Sequence, residues 1–388
     1  MLGWGAKSAW SGSRPTVTRR QKMKTKIGLL VSLAVIQLIT AASLQAQELK
    51  LGELKLMYTE DEIPIRYDGS LSTIRKDGEM HFFHSFGCRL TTSETRRSRH
   101  SWHKGTPDDP LKCHVASKTE DEFWDYNGYY GDLAEEGIWI LGMYQCPGGD
   151  ILAITHAELN AGSGGRIERK EQRFALGLGY STDGGATWTY CGEIVRPADD
   201  RQNVGGGAYI LRGEYIYVYF NDAIPATTRG RGTKVHCVAR AKLDTVIRAA
   251  AQHKVTTWHK YADGKWETPG LSGKPGDDII PRIVGGEDLH ADAAYCVPLG
   301  KYLLAVQTHA AGKLLLFAST DGVNWSHETT IDEIRNNNGA IQPYSAFVDF
   351  DGPSDDCHTV DEDFFIYFPR KGPDHEYDLI FRRKITIE

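Results

Sequence analysis

STDGGATW, residues 181–188, closes a strand-like run, turns on Asp183-Gly184-Gly185 and ends on Trp188. A near copy, STDGVNW, occupies 319–325. Ser and Asp side chains fold such a turn back on its own backbone, and glycine supplies the positive φ it needs. The closing Trp offers a large apolar face for packing. Two copies of one unusual turn predict a repeated supersecondary unit.

Reading outward from the turns, short β-rich runs alternate with Gly/Asp/Asn turns, and only LDTVIRAAAQHK (243–254) carries a helical pattern. Five strand–turn–strand pairs follow one another, at 69–87, 136–158, 205–223, 291–310 and 343–372, the last with an acidic insertion in its turn. After the second and fourth pairs come RFALGLGY and KLLLFA, each running into one of the quoted turns and then another strand. After the third, TTWHKYADGKWETPG (256–270) places an Asp-Gly hairpin and a Trp at the corresponding point. Each unit then has four antiparallel strands, with the quoted turn between the third and fourth. The predicted fold is all-β, a five-bladed β-propeller of four-stranded antiparallel blades.

MKTKIGLLVSLAVIQLITAASLQA (23–46) has a basic start, a short apolar run and a small-residue end, the pattern of a secretory signal peptide. We therefore expect 1–46 to be the signal peptide with a preceding basic segment, and 47–388 to form a single propeller domain. The chain carries a net charge of −6, and residues 1–46 hold seven Lys/Arg and no acid. The mature part is more acidic still, which argues against nucleic acid as a partner. The expected protein is secreted or periplasmic, has no stable membrane anchor and is a monomer.

Seven cysteines in an exported chain leave at least one unpaired; Cys88 and Cys113, which bracket a loop, are the expected disulfide pair. No CxxC or HExxH spacing is present, so no metal site is assigned. A structural calcium ion on the propeller axis is the one cofactor the fold leaves room for.

In a four-stranded meander, the start of each first strand and the end of each second strand lie on one face of the disc. These slots hold Asp68, Glu136, His290, Asp292 and Tyr344 at strand starts, and His84, His156, Glu158, Asp222, His309 and Arg370 at strand ends. Polar or ionisable residues thus recur in all five blades, with carboxylates or histidines in the first four. Cleaving a glycosidic bond needs one carboxyl that keeps its proton and one that is ionised, and carboxylates crowded in a closed pocket split that way. The catalytic candidates are Asp68, Glu136, Glu158 and Asp292. The substrate-binding candidates are His84, Arg97, Arg99, His156, Asp222, His290, His309, Tyr344 and Arg370. Arg97 and Arg99 belong to RLTTSETRRSRHSWHKG (89–105), read as a basic loop that grips acidic sugars through bidentate Arg contacts.

The turn STDGGATW resembles the Asp-box of sialidases and related propellers, with Ser181, Asp183, Gly185 and Trp188 at the motif positions; Ser319, Asp321, Gly322 and Trp325 match in the shorter copy. In blade count and pattern the chain resembles five-bladed glycoside hydrolases such as family 43. That resemblance implies a blade-one general base at Asp68 of RYDGSLSTIRKDG and a blade-two acid at Glu136. Blade three begins NVGGGAY, without the family's carboxylate, so Glu158 of THAE or Asp222 of FND stands in for the general acid.

The expected function is a secreted carbohydrate-active enzyme, a glycoside hydrolase acting on a polysaccharide or oligosaccharide, with an acidic glycan among the candidates. The alternatives are a polysaccharide lyase using His84, His156, His309 and Tyr344, an exo-sialidase, and a propeller that binds sugars without cleaving them. A sialidase needs six blades, against five here.

Overall fold

A computed structural model describes residues 47–59, 62, 67–88, 97–115, 137–159, 173–185, 187–198, 204–224, 233–280, 287–288, 292–308, 312–334, 344–371 and 378–388. The readings made above on Glu136, His290, His309 and residues 1–46 lie outside them. No helix among the described residues is long and apolar enough to cross a membrane.

The chain enters through β1 (Leu49–Tyr58) and then lays down its sheets in sequence order. Blade one is β2 (Tyr67–Lys76), β3 (Glu79–Cys88), β4 (Arg97–Thr106) and β5 (Asp109–Val115). Blade two is β6 (Gly137–Gln145), β7 (Ile151–Leu159), β8 (Arg173–Ser181) and β9 (Thr189–Val195). Blade three is β10 (Gly206–Arg212), β11 (Tyr215–Ile224), β12 (Thr233–Lys242), β13 (His259–Ala262) and β14 (Lys265–Pro269), with helix α1 (Leu243–Ala250) between β12 and β13. Blade four is β15 (Glu287–Asp288), β16 (Ala293–Cys296), β17 (Lys301–Thr308), β18 (Lys313–Ser319) and β19 (Ser326–Glu333). Blade five is β20 (Ala346–Val348), β22 (Asp363–Lys371) and β23 (Asp378–Ile387), while β21 (Thr359–Val360) runs parallel to β16 in blade four. β1 supplies the outer strand of blade five by pairing antiparallel with β23, from Leu49 opposite Ile387 to Tyr58 opposite Ile380. The first strand of the chain thus completes the last blade.

The protein is a five-bladed β-propeller. Five apolar clusters form its seams. Ile74 and Phe83 of blade one meet Ile138, Ile140 and Trp188 of blade two. Blade two packs on blade three through Leu176, Leu178, Val218 and Phe220. Blades three and four meet at Ile210, Tyr219, Leu304 and Trp325. Leu303, Leu316, Phe364 and Ile385 join blades four and five. Leu71, Met80 and Phe82 with Val348, Tyr367 and Ile380 join five to one, which closes the ring. A strand between two such seams is apolar on both faces: β7 is buried throughout from Ile151 to Ala157. Each Leu, Ile or Phe so buried contributes about 1.5–3 kcal/mol.

The two quoted turns join β8 to β9 and β18 to β19, the third and fourth main strands of their blades. In the first, Ser181 Oγ lies 2.8 Å from Asp183 Oδ1 and accepts from Gly185 N–H at 2.8 Å; Asp183 Oδ1 accepts from Thr187 N–H at 2.9 Å. Trp188 Nε1 donates to Gly185 O at 3.0 Å and its ring lies 6.0 Å from Phe83 of the preceding blade. In the second, Ser319 Oγ accepts from Gly322 N–H at 2.8 Å and Asp321 Oδ1 from Val323 and Asn324 N–H. Burial would raise the Asp321 carboxyl, but these N–H donors outweigh it and hold it at about 2.

Several expectations fail on register. The basic stretch read as a loop is in part a strand: β4 runs from Arg97, opposite Cys88, to Gly105, opposite Met80. The alternating bulky residues of RSRHSWHKGT are compatible with a strand, and their charge had masked it. Cys88 pairs with Arg97 and Cys113 with Lys104, seven residues further along β4. Seven strand residues span about 23 Å, whereas a disulfide needs Cα atoms within about 7 Å, so that pairing is excluded. Cys146, Cys191, Cys237, Cys296 and Cys357 are buried free thiols. The Asp263-Gly264 hairpin joins β13 to β14, the fourth and fifth strands, because β12 and α1 precede it. Blades three and four are therefore larger than four strands.

Candidate functional site

The five innermost strands surround the axis, and midway along them lies a cavity of about 10 Å³, close to the size that holds one water. Blade one contributes Leu71, Ser72 and Thr73, blade two Leu141, Gly142 and Met143, blade three Tyr209, and blade four Asp292 and Ala293. The blade-five contribution, Asp356 and His358, comes from the acidic insertion between β20 and β22.

That insertion plugs the channel. It folds back through Asp349, whose carboxylate accepts from Asp351 and Asp361 N–H. Arg75 of blade one donates to Gly352 O at 3.1 Å and to Asp349 O at 3.2 Å. Gln145 N–H of blade two donates to Asp356 Oδ2 at 2.9 Å, and Tyr295 N–H of blade four to His358 O at 2.8 Å. One segment therefore ties blade five to blades one, two and four at the end where the innermost strands finish.

Asp292 sits just before β16. Its oxygens accept from Ala293 N–H at 2.9 Å and Phe347 N–H at 2.8 Å, which joins blade four to blade five. Its side chain is half-buried, against the cavity. Burial pushes its carboxyl up to about 7; the two N–H donors oppose the rise and the Asp356 charge adds to it. Asp356 Oδ1 is bonded to His358 Nδ1, and the His358 ring lies against Tyr144 at 5.9 Å and Tyr209 at 6.3 Å. Tyr209 donates its hydroxyl hydrogen to the nearer of two acceptors, Met143 O at 2.6 Å, with Asp356 Oδ2 at 3.3 Å. Burial holds the Tyr209 phenol well above its ordinary pKa. Tyr209 fits because its neighbour is glycine: a Cβ on Gly142 would lie 3.2 Å from its ring and 2.9 Å from Gly207 O.

Among the described residues no group of three or more His, Cys, Asp or Glu side chains is arranged to hold a metal. The oxygens of Asp292 and Asp356 already accept backbone N–H groups or meet His358.

The other sequence-nominated residues distribute as follows. Asp68 lies at the start of β2, and Glu158 near the end of β7 opposite Gly137, the first residue of β6. Both therefore stand at the end of the blades where innermost strands begin. His84 on β3 pairs with Leu71 and Ser101, and Arg97 and Arg99 lie on β4 opposite Cys88 and Phe86. Tyr344 is half-buried just ahead of β20.

Three nominated residues are taken up by internal partners. His156 is 5% exposed and stacked on Phe174 at 5.8 Å. Asp222 is buried beside Lys260, at 3.4 Å, and accepts from Ala198 N–H, so it has no open surface to offer a sugar. Arg370 clasps Asp332 of blade four and lies 4.3 Å above the Phe381 ring. The slot argument gave no account of the internal partners that hold His156, Asp222 and Arg370. Of the residues on the cavity, sequence reading found Asp292 and missed Tyr209, Asp356 and His358. The acidic insertion was the one signal that pointed toward the last two.

No protein-family model and no curated protein sequence matches the chain. Among solved structures it is similar to the catalytic domain of a family 62 α-L-arabinofuranosidase from Coprinopsis cinerea, with TM-score 0.49 and 11% identity over 87% of this chain and 96% of that one. It is also similar to a family 117 glycoside hydrolase from the marine bacterium Zobellia galactanivorans, with TM-score 0.47 and 12% identity over 88% and 90%. A family 43 glycoside hydrolase from Xanthomonas citri complexed with xylotriose gives TM-score 0.46 and 10% identity over 87% and 90%. At such identities no site residue transfers from one chain to another.

Proposed function

We propose that the protein is a secreted glycoside hydrolase that cleaves a polysaccharide or oligosaccharide at the propeller end where the innermost strands begin. The observation that carries the proposal is the placing of Asp292 on the cavity at the propeller axis, where burial pushes its carboxyl up to about 7. Asp68 and Glu158 belong to strand ends on the same side of the disc. In this reading Asp68 is the general base and Glu158 the general acid, since Asp222 is committed to Lys260. Glycosidic cleavage needs such a division between an ionised and a protonated carboxyl. The axial cavity admits a water and excludes a sugar ring, so Asp292 acts from beneath the sugar, holding a proton and setting the field at the pocket floor.

The test is a screen of the purified protein against neutral, uronic and sulfated polysaccharides, with reducing ends and ultraviolet absorbance read together. The expected result is new reducing ends without the absorbance of an unsaturated uronate. Asp68→Asn and Glu158→Gln should each lower the rate by about 10²–10⁴-fold. Absorbance rising with the reducing ends would mean β-elimination and overturn the proposal.

A further inference from the structure

A second recognition surface lies on blade three, away from the axis. Register places Tyr217 opposite Arg240 and Arg240 opposite His259, so these three side chains share one face of the sheet. Tyr215 and Lys242, two residues along, share it too. Tyr215, Arg240, Lys242 and His259 of this face, with Trp266, Thr256 and Thr257, border a groove of about 430 Å³, within the range of small-ligand sites; Tyr217 is buried behind it. Lys242 and Thr257 are exposed and Arg240 is half-buried.

Arg240 is the unusual member. Its guanidinium carbon lies 4.2 Å from the centre of the Tyr215 ring and 4.2 Å from that of Trp266. The Trp266 ring is fixed in turn by Tyr217 at 5.2 Å and Tyr261 at 5.0 Å. A guanidinium lodged against two rings keeps its N–H fork preorganised for an in-plane acceptor. Nη1 donates to Tyr217 Oη at 3.1 Å, a neutral partner. Among the described residues no carboxylate lies within ion-pair distance of Arg240, whereas nearby Lys242 has Glu214 at 3.0 Å. The groove therefore presents an immobilised cation with no acidic partner among the described residues, beside an aromatic side chain and Thr hydroxyls.

We propose that this groove binds an acidic saccharide, with the sugar carboxylate on the Arg240 fork, its ring along Trp266 and its hydroxyls toward Thr256 and Thr257. A planar fork pairs with a planar carboxylate through two parallel hydrogen bonds, and an aromatic side chain gives a sugar ring apolar contact. The site is separate from the axial cavity: Tyr215 and Lys242 stand at the β10–β11 turn end of blade three, opposite the end where β10 begins. It anchors a glycan whether or not the chain cleaves one.

The experiment is calorimetric titration of the full chain with a trimer of galacturonic acid, with the same trimer reduced to its neutral alcohol, and with inorganic sulfate. The expected result is saturable binding of the acid trimer, at least tenfold weaker binding of the neutral one, and no saturation by sulfate in the same range. Arg240→Lys keeps the charge and loses the fork, and Trp266→Leu keeps an apolar side chain; each should weaken the acid trimer tenfold or more while the chain stays folded, with a cooperative melt. Asp68→Asn should bind as the parent does, which separates this surface from the proposed catalytic end. Equal binding of the neutral trimer, sulfate binding as well as the trimer, parental affinity in Arg240→Lys, or lost affinity in Asp68→Asn would each overturn the assignment.

Discussion

Asp222 and Asp292 are two acids set into the fold in opposite ways, Asp222 fully buried and Asp292 half-buried. Asp222, inside blade three, faces Lys260 Nζ at 3.4 Å, and that ammonium also donates to the carbonyl oxygens of Arg196, Ser272 and Lys274. Asp292, on the axis, has no cation of that kind. It has two backbone N–H donors and faces a second acid, Asp356, which His358 holds. The first arrangement neutralises a charge and cross-links three segments. The second keeps a carboxyl near the point where it gains or loses a proton. Burial alone therefore does not mark a functional acid; the partner does.

The largest effect should come from breaking the first arrangement. Lys260→Met leaves Asp222 buried without its cation, and loss of one member of a buried pair costs about 3–5 kcal/mol. Chemical denaturation read by tryptophan fluorescence measures it. A loss below 1 kcal/mol would mean that Asp222 is not held by Lys260, and the contrast with Asp292 would collapse.

The next effect lies in pH dependence. The Asp292 carboxyl is raised from its ordinary value near 4 to about 7 in the fold. Between those values the unfolded chain releases its proton while the folded chain retains it. This group's contribution therefore lowers stability as pH rises from about 4 to 7, with no further change above. Asp292→Asn has no such titration, although it loses one of the two backbone contacts at every pH. The stability difference, parent minus variant, should fall by about 2–4 kcal/mol across that window. A flat difference would show that Asp292 is ionised throughout, like an ordinary exposed acid.

The smallest effects concern the two serine hydroxyls that brace the turns. Ser181→Ala and Ser319→Ala each remove an acceptor from a buried glycine N–H, Gly185 and Gly322 respectively. Each should cost about 1–3 kcal/mol at every pH between 4 and 8, as read by thermal melting. A pH-dependent cost would mean that Asp183 or Asp321, rather than the serine, carries the turn.

The blade count and the strand pair that opens each blade were legible in the sequence. Alternation between apolar β runs and Gly/Asp turns is a local pattern, and the duplicated turns at 181–188 and 319–325 marked where two blades bend. It also located α1 and the acidic insertion. It did not reveal β1 as the outer strand of blade five, because pairing of Leu49 with Ile387 depends on ring closure and not on either segment. It likewise could not separate Asp222 from Asp292, since both are acids at strand ends. The tertiary structure decided that by bringing Lys260, 38 residues away, to one of them and Asp356 with His358 to the other. A side chain's chemistry is written in its type, but its pKa and its availability come from neighbours that only the folded chain supplies.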